Sequence, residues 1–222
     1  MQTYSHLILT GVLDRELKRQ ETSRGGTPEV RVSAADTLPP VNTGALLLGS
    51  VAPDLPLIFL FFVNLARDIL AGNRLAPGDE TAELASHVGW LFRVGFYQDP
   101  WIIAAHNLFH APILTVTYTV TGYWLWTKKK RGGAALFWFG LACTLHTLID
   151  IPLHYDDGPL LLFPLNWTLR FYSPLSYWDP ARGGIWFTIF EHTLVLASSG
   201  YLIWDWVKRR RQRAADVRAG TD

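Results

Sequence analysis

His146 and Asp150 stand four residues apart in HTLID, a spacing that stacks an imidazole and a carboxylate on one face of a helix. The apolar run ALFWFGLACTL leads straight into them, which puts both groups in a membrane-like segment. In hydrocarbon such groups are costly unless they pair, meet water or bind a cation, and the spacing is one that metal ligands use. The bland alternative is a buried His–Asp hydrogen bond that fixes helix packing. His106 and His110, in HNLFHAPI, repeat the spacing on a second apolar segment. Asp54 lies between Pro53 and Pro56, where proline breaks the helical ladder and membrane proteins often hold ions. His154 and the Asp156–Asp157 pair follow HTLID closely enough to add a metal ligand or a general base. A divalent metal held by such a set lowers the pKa of a bound water, and a carboxylate such as Asp54 or Asp157 can take the proton released.

The elements that must position these residues are membrane-length helices. Nearly half of the 222 residues are hydrophobic, 10 are Trp, and the apolar residues collect into runs. At about 20 residues, such runs match the thickness of a bilayer. The expectation is an all-α, polytopic helical membrane protein forming a single domain over residues 1–222, with short interfacial helices and spans over 44–66, 101–126, 134–153 and 185–206. The first span should be a helix, a break at Asp54 and a second helix. The run from Leu7 to Leu13 is too short to span and reads as a short helix at the interface or against the bundle. Residues 20–43 read as a loop, and 67–100 as mixed and amphipathic enough to lie along a surface, with His87 a solvated or interfacial histidine. No removable signal peptide is expected. A single cysteine, Cys143, excludes an internal disulfide and a CxxC site, leaving His and carboxylates as the metal ligands.

Orientation follows from charge. Lys128–Arg131 and the basic run 208–213 fall after the second and fourth spans, and the positive-inside rule places both, with the tail 207–222, on the cytoplasmic side. Nucleic-acid binding is not needed to explain them. His106 and His110 then lie roughly 8 to 14 Å from the outer end of their span, His146 and Asp150 roughly 5 to 11 Å, and Glu191 and His192 roughly 9 to 11 Å. Three helices thus bring ionisable residues to one depth near the extracytoplasmic face of an inner or plasma membrane. Glu191 and His192 are adjacent and point about 100° apart, so only one of them should face the site. The long, aromatic, proline-rich loop 154–184 lies over that site as a lid, a binding loop or a re-entrant plug.

No Ser-His-Asp order, GxSxG elbow or P-loop occurs, which removes the common soluble hydrolase and nucleotide readings. The order of an early His6, PD at Pro53–Asp54, the His106/His110 pair, HTLID, and Gly158 followed by LLLFP resembles the membrane-bound, metal-dependent hydrolase family that includes LexA-regulated bacterial members. More distantly it is similar to zinc-dependent phospholipase C. The likeness runs from His6 to Pro164 by motif order. It departs at Pro56, where the family commonly has the second acid of PDxD, in the histidine pair, which the family sets five apart in HRGxTHS, and in LHYDD, which replaces a threonine-containing turn. With the resemblance, the metal set reads as His6, Asp54, His106, His110, His146 and Asp150 holding one to three divalent ions, zinc foremost, and His154 adds a further ligand by its position alone. It implies hydrolysis of a phosphoester or other ester of a lipid-like substrate drawn from membrane lipid. His6 enters by resemblance alone. The alternatives are a b-type haem electron-transfer protein using His106 and His146 as axial ligands, a metal-binding membrane protein without hydrolytic activity, and a metal-ion transporter. The last would need polar residues continuing to the cytoplasmic half. Oligomeric state is not readable.

Overall fold

A computed structural model describes residues 1–24, 38–73 and 85–219. Among these the regular structure is helical, as composition and periodicity predict: α1 (Thr3–Arg24), α2 (Thr43–Val51), α3 (Leu55–Ala71), α4 (His87–Trp90), a π-helical turn (Leu91–Gly95), α5 (Phe96–Gln98), α6 (Pro100–Asn107), α7 (Pro112–Thr127), α8 (Gly133–Asp150) and α9 (Gly184–Ala219).

Helix α8 is the centre of the packing, lying between α7 and α2. Glycines permit the close approach. A Cβ on Gly140 or Gly122 would collide with the backbone of the facing helix at Thr119 or Phe137, and one on Gly49 with the Phe139 carbonyl. Leu46 of α2 closes a buried cluster with Phe137, Trp138 and Ala142 of α8. A second cluster, of Ile103, Ala111, Leu160 and Phe163, fixes the outer loop to the turn between α6 and α7.

The break at Asp54 is where the prolines predict it: α2 and α3 meet at 53°, with Asp54 as the N-cap of α3. Three expectations need correction. Helix α1 is 22 residues long and reaches well beyond Leu13, so residues 20–24 are helix and not loop. Its polar second half is held by tertiary pairs with α9, in which Arg15 Nε donates to Asp205 Oδ2 at 2.6 Å and Tyr201 donates to Glu16, and by the pair within the helix in which Lys18 donates to Asp14 at 3.1 Å. Residues 25–37 of the expected loop, and 74–84 of the expected surface stretch, lie outside the described residues. The segment 101–126 is not one helix. Ala111 is extended (φ −72°, ψ 129°) because the ring of Pro112 disfavours helical backbone before it, and α6 and α7 are separate.

By length and composition Gly133–Leu153, 21 residues, is apolar enough to cross a membrane, and the bent pair Thr43–Val51 and Leu55–Ala71 passes the same test together. The other expected spans do not pass it among the described residues. Helix α7 has only 16 residues, and the apolar part of α9 carries Glu191 and His192. His87 is not simply solvated, since its Nδ1 lies 2.8 Å from Asp68 Oδ1.

Candidate metal centre

At the C-terminal end of α8, His146 and Asp150 share one face, and each is 1% exposed. His146 Nδ1 lies 2.8 Å from the Ser50 carbonyl oxygen, which only accepts, so Nδ1 carries a proton and Nε2 is the nitrogen turned toward the acid groups. That Nε2 faces Asp150 Oδ2 at 3.1 Å and Asp54 Oδ1 at 3.4 Å, with hydrogen-bond geometry to neither. A lone pair between two carboxylate oxygens requires a positive charge there, a proton or a metal ion. Asp54 reaches this point because the kink between α2 and α3 turns its carboxylate inward, where Oδ2 accepts from Thr3 Oγ1 at 2.5 Å.

Helix α1 delivers His6. Its Nε2 is 3.0 Å from Asp150 Oδ1, and its ring stacks on that of His146 with centroids 3.6 Å apart and planes 15° apart. The Met1 amino group pairs with the same Asp150 oxygen at 2.9 Å, and Gln2 N donates to Glu191 Oε1 at 2.7 Å, which ties the start of α1 to α9. Of the adjacent pair on α9, Glu191 is therefore the buried member, 2% exposed, while exposed His192 meets Tyr4 at 2.8 Å.

His110 lies in the turn after α6, so the two histidines of HNLFHAPI do not share a helix face as expected. The turn nevertheless aims His110 Nε2 at Asp150 Oδ2, 3.4 Å away, and Thr147 Oγ1 of α8 holds the His110 carbonyl at 2.9 Å. His106, 5% exposed, has no hydrogen-bond partner at either ring nitrogen; its ring is 4.8 Å from that of His110 and 5.0 Å from Phe96. His154 follows α8, with Nε2 3.7 Å from Asp150 Oδ2 and Nδ1 3.0 Å from Asp157 Oδ1. Asp157 thus stands behind His154 rather than at the cluster, and Trp178 Nε1 donates to its Oδ2 at 2.9 Å. Burial alone would lower the His154 pKa, but its contacts with Asp150 and Asp157 outweigh that and raise it to about 8. Burial likewise favours neutral Asp157, and His154 overrides it to hold the carboxyl below its usual range. Burial, reinforced by the surrounding carboxylates, keeps the nearby Tyr177 phenol protonated.

Two sets of three ligand atoms lie within 4.8 Å of one another: His6, His146 and Asp150, and Asp54, His110 and His146. They share His146, whose one free nitrogen can serve one cation. The buried, unpartnered nitrogens of His110 and His146 and the mixed imidazole–carboxylate donors fit a divalent metal ion. His106 belongs to neither set. Residues that sequence reasoning missed are Met1, Thr3, Ser50 and Asn107, whose side-chain Oδ1 holds Leu160 N at 2.8 Å. Each acts through a partner distant in sequence, and none carries a local signal.

A cavity of about 1000 Å³ opens from this cluster, reaching Asp54, His106, His110, Asp150, His154 and Asp157 at one end. No family model matches the chain, and no curated protein or solved structure does either.

Proposed function

We propose that this chain is a membrane-embedded, zinc-dependent hydrolase that cleaves a phosphoester or other ester of a lipid-like substrate. The observation that carries the reading is His146 Nε2 set between the carboxylates of Asp150 and Asp54, both of which line a cavity large enough for a substrate. His6, Asp54, His110, His146 and Asp150 would supply the ligands of one zinc ion, three or four at a time, which leaves a position open to water. Zinc lowers the pKa of a bound water toward neutrality.

The chain's own residues supply the remaining work. The Ser50 carbonyl fixes the tautomer of His146. Thr3 orients Asp54 by occupying its outer oxygen, which suits Asp54 to binding metal more than to carrying protons. The proton released from water would pass to His154 Nε2 in the neutral form that prevails above about pH 8, with Nδ1 set 3.0 Å from Asp157 Oδ1. Tyr177, kept neutral, lines the same cavity as a hydrogen-bond donor.

The membrane placement extends the same reading. Lys128–Arg131 precede α8, and the centre lies at the other end of that helix, so a cytoplasmic basic turn sets the centre near the extracytoplasmic face. Four spans then comprise α2 with α3, α6 with α7, α8, and the apolar part of α9. The haem alternative meets His146 Nε2 already faced by two carboxylates, which leaves no axial approach for iron.

The test is metal analysis of the purified protein together with turnover of phospholipids and model phosphoesters. About one zinc per chain, with hydrolysis lost to a chelator and restored by zinc, is the expected result. A Soret band without stoichiometric zinc would overturn the reading.

A further inference from the structure

The cavity that leaves the metal centre is sharply divided in chemistry. Away from the histidines and carboxylates, its wall is built by Leu57, Ile58, Phe61 and Phe62 of α3 and, across from them, by Phe92, Phe96 and Tyr97 with Arg93 as the one charged member. Leu57 with Phe61, and Ile58 with Phe62, are each four apart, which makes one continuous apolar face of α3. The opposite wall comes from the π-helical turn Leu91–Gly95 and the residues after it. A π turn inserts an extra residue into the helical ladder and recurs at functional sites. Here it lets Phe92 and Phe96 line the same cavity, with Phe92 6.3 Å from Phe61 between ring centroids.

The two halves meet at His106. Its ring contacts Phe96 on one side and His110 on the other, its nitrogens have no protein partner, and it lines the cavity. At the far end, Phe62 both lines the cavity and is 60% exposed, beside Phe59 at 68% on the outward apolar face of α3. Phe62 and Phe59 thus place an exposed apolar surface at that end of the cavity.

We infer that the cavity seats one alkyl chain of an amphiphilic substrate between α3 and the π turn, with the chain's polar end at the zinc centre and the linking oxygen beside His106. This rests on the zinc-hydrolase reading and adds to it a path: the substrate enters sideways from the membrane past Phe62, tail along Phe61 and Phe92. A water-soluble phosphoester would gain nothing from that wall. For an amphiphile coming from the bilayer, that wall replaces the lipid contacts of its chain with packing against Phe61 and Phe92.

The test uses the full chain in phosphatidylcholine nanodiscs, loaded with zinc, and a dodecyl hydroxamate carrying a diazirine at the end of its chain. Hydroxamate ligates zinc, and the diazirine reports where the tail lies. Labelling is expected on peptides holding residues 57–62 and 91–97, removed by chelation and by excess unlabelled dodecyl hydroxamate. Phe61→Ala combined with Phe92→Ala should lower that labelling about fivefold, while zinc content and competition by acetohydroxamate, which has no tail, stay unchanged. Zinc-dependent labelling confined to residues 162–178 or to Phe59 would overturn the tail site and leave the zinc centre standing. Absence of bound zinc would overturn both.

Discussion

Two buried aspartates among the described residues face histidines, and they differ in what else surrounds them. Asp68, 1% exposed, accepts from Asn73 Nδ2 at 2.9 Å, from the backbone N of His87 at 2.7 Å, from His87 Nδ1 at 2.8 Å and from Val88 N at 2.9 Å. Its partners are donors with no other task, and together they fasten the start of α4 to α3. Asp150, equally buried, is ringed by the nitrogens of His6, His110, His146 and His154 and by the Met1 amine. None of those is a backbone amide. A carboxylate saturated by amides is complete as it stands and serves the fold, whereas one ringed by imidazoles with unpartnered nitrogens can be completed by a cation.

The comparison breaks first on metal content. His146→Ala should reduce zinc from about one per chain to none, measured by elemental analysis of protein purified in detergent. Asp150→Asn keeps the shape and loses the charge, and should weaken zinc by about 100-fold or more in calorimetric titration, since even outer partners of ligands are worth 10- to 100-fold. Asp68→Asn should leave zinc unchanged. Equal loss of zinc in the Asp68 variant would erase the distinction between the two sites.

Stability should separate them in the opposite sense. Asp68→Ala strands the His87 and Val88 amides, and a buried donor left without a partner costs about 1–3 kcal/mol, so its unfolding midpoint should fall with or without zinc. The wild-type centre should respond to the ion itself. Zinc at about 1,000 times its dissociation constant adds about 4 kcal/mol, and that increment should vanish in His146→Ala. An Asp68→Ala protein as stable as wild type would show that amide saturation is not what Asp68 contributes.

The same contrast explains what could be read from the chain alone. HTLID announced its pair because both residues sit on one helix and the period of that helix is fixed by local geometry. Asp54 was legible for a similar reason, because flanking prolines dictate a break wherever they fall. HNLFHAPI misled in detail: its spacing matched a helix, but Pro112 forces Ala111 out of the helical region and sends His110 to Asp150 through a turn. His6 had no local mark at all, since its partner Asp150 is 144 residues away. The Asp68–His87 pair was invisible likewise, because nothing in the sequence ties α3 to α4. The length of α1 came from pairing with α9, which propensity does not report.

His106 sharpens the comparison, because it is a buried histidine without an aspartate. It lies outside both ligand sets and lines the cavity. His106→Ala should therefore leave zinc stoichiometry intact and lower turnover by about tenfold, the worth of one hydrogen bond made to a reacting group. Loss of zinc in that variant would move His106 into the ligand set and make the site larger than five residues.

The smallest expected effect concerns Asp157, which acts on the centre only through His154. In metal-free protein the contacts of His154 with Asp150 and Asp157 outweigh its burial and raise its pKa to about 8, from an ordinary value of 6.5. A histidine raised on folding lends stability that is fully present below pH 6.5 and lost as pH rises through about 8. Asp157→Asn deletes one of the two carboxylates responsible while leaving Asp150 in place. Titration of His154 followed by NMR in chelator-stripped protein should therefore move downward toward 6.5, and the stability lost between pH 6.5 and 8 should shrink with it. Zinc stoichiometry should stay as in wild type, because Asp157 contacts His154 on the nitrogen turned away from Asp150. If the titration of His154 were unmoved, Asp150 alone would account for its charge, and Asp157 would have no part in preparing it to take a proton.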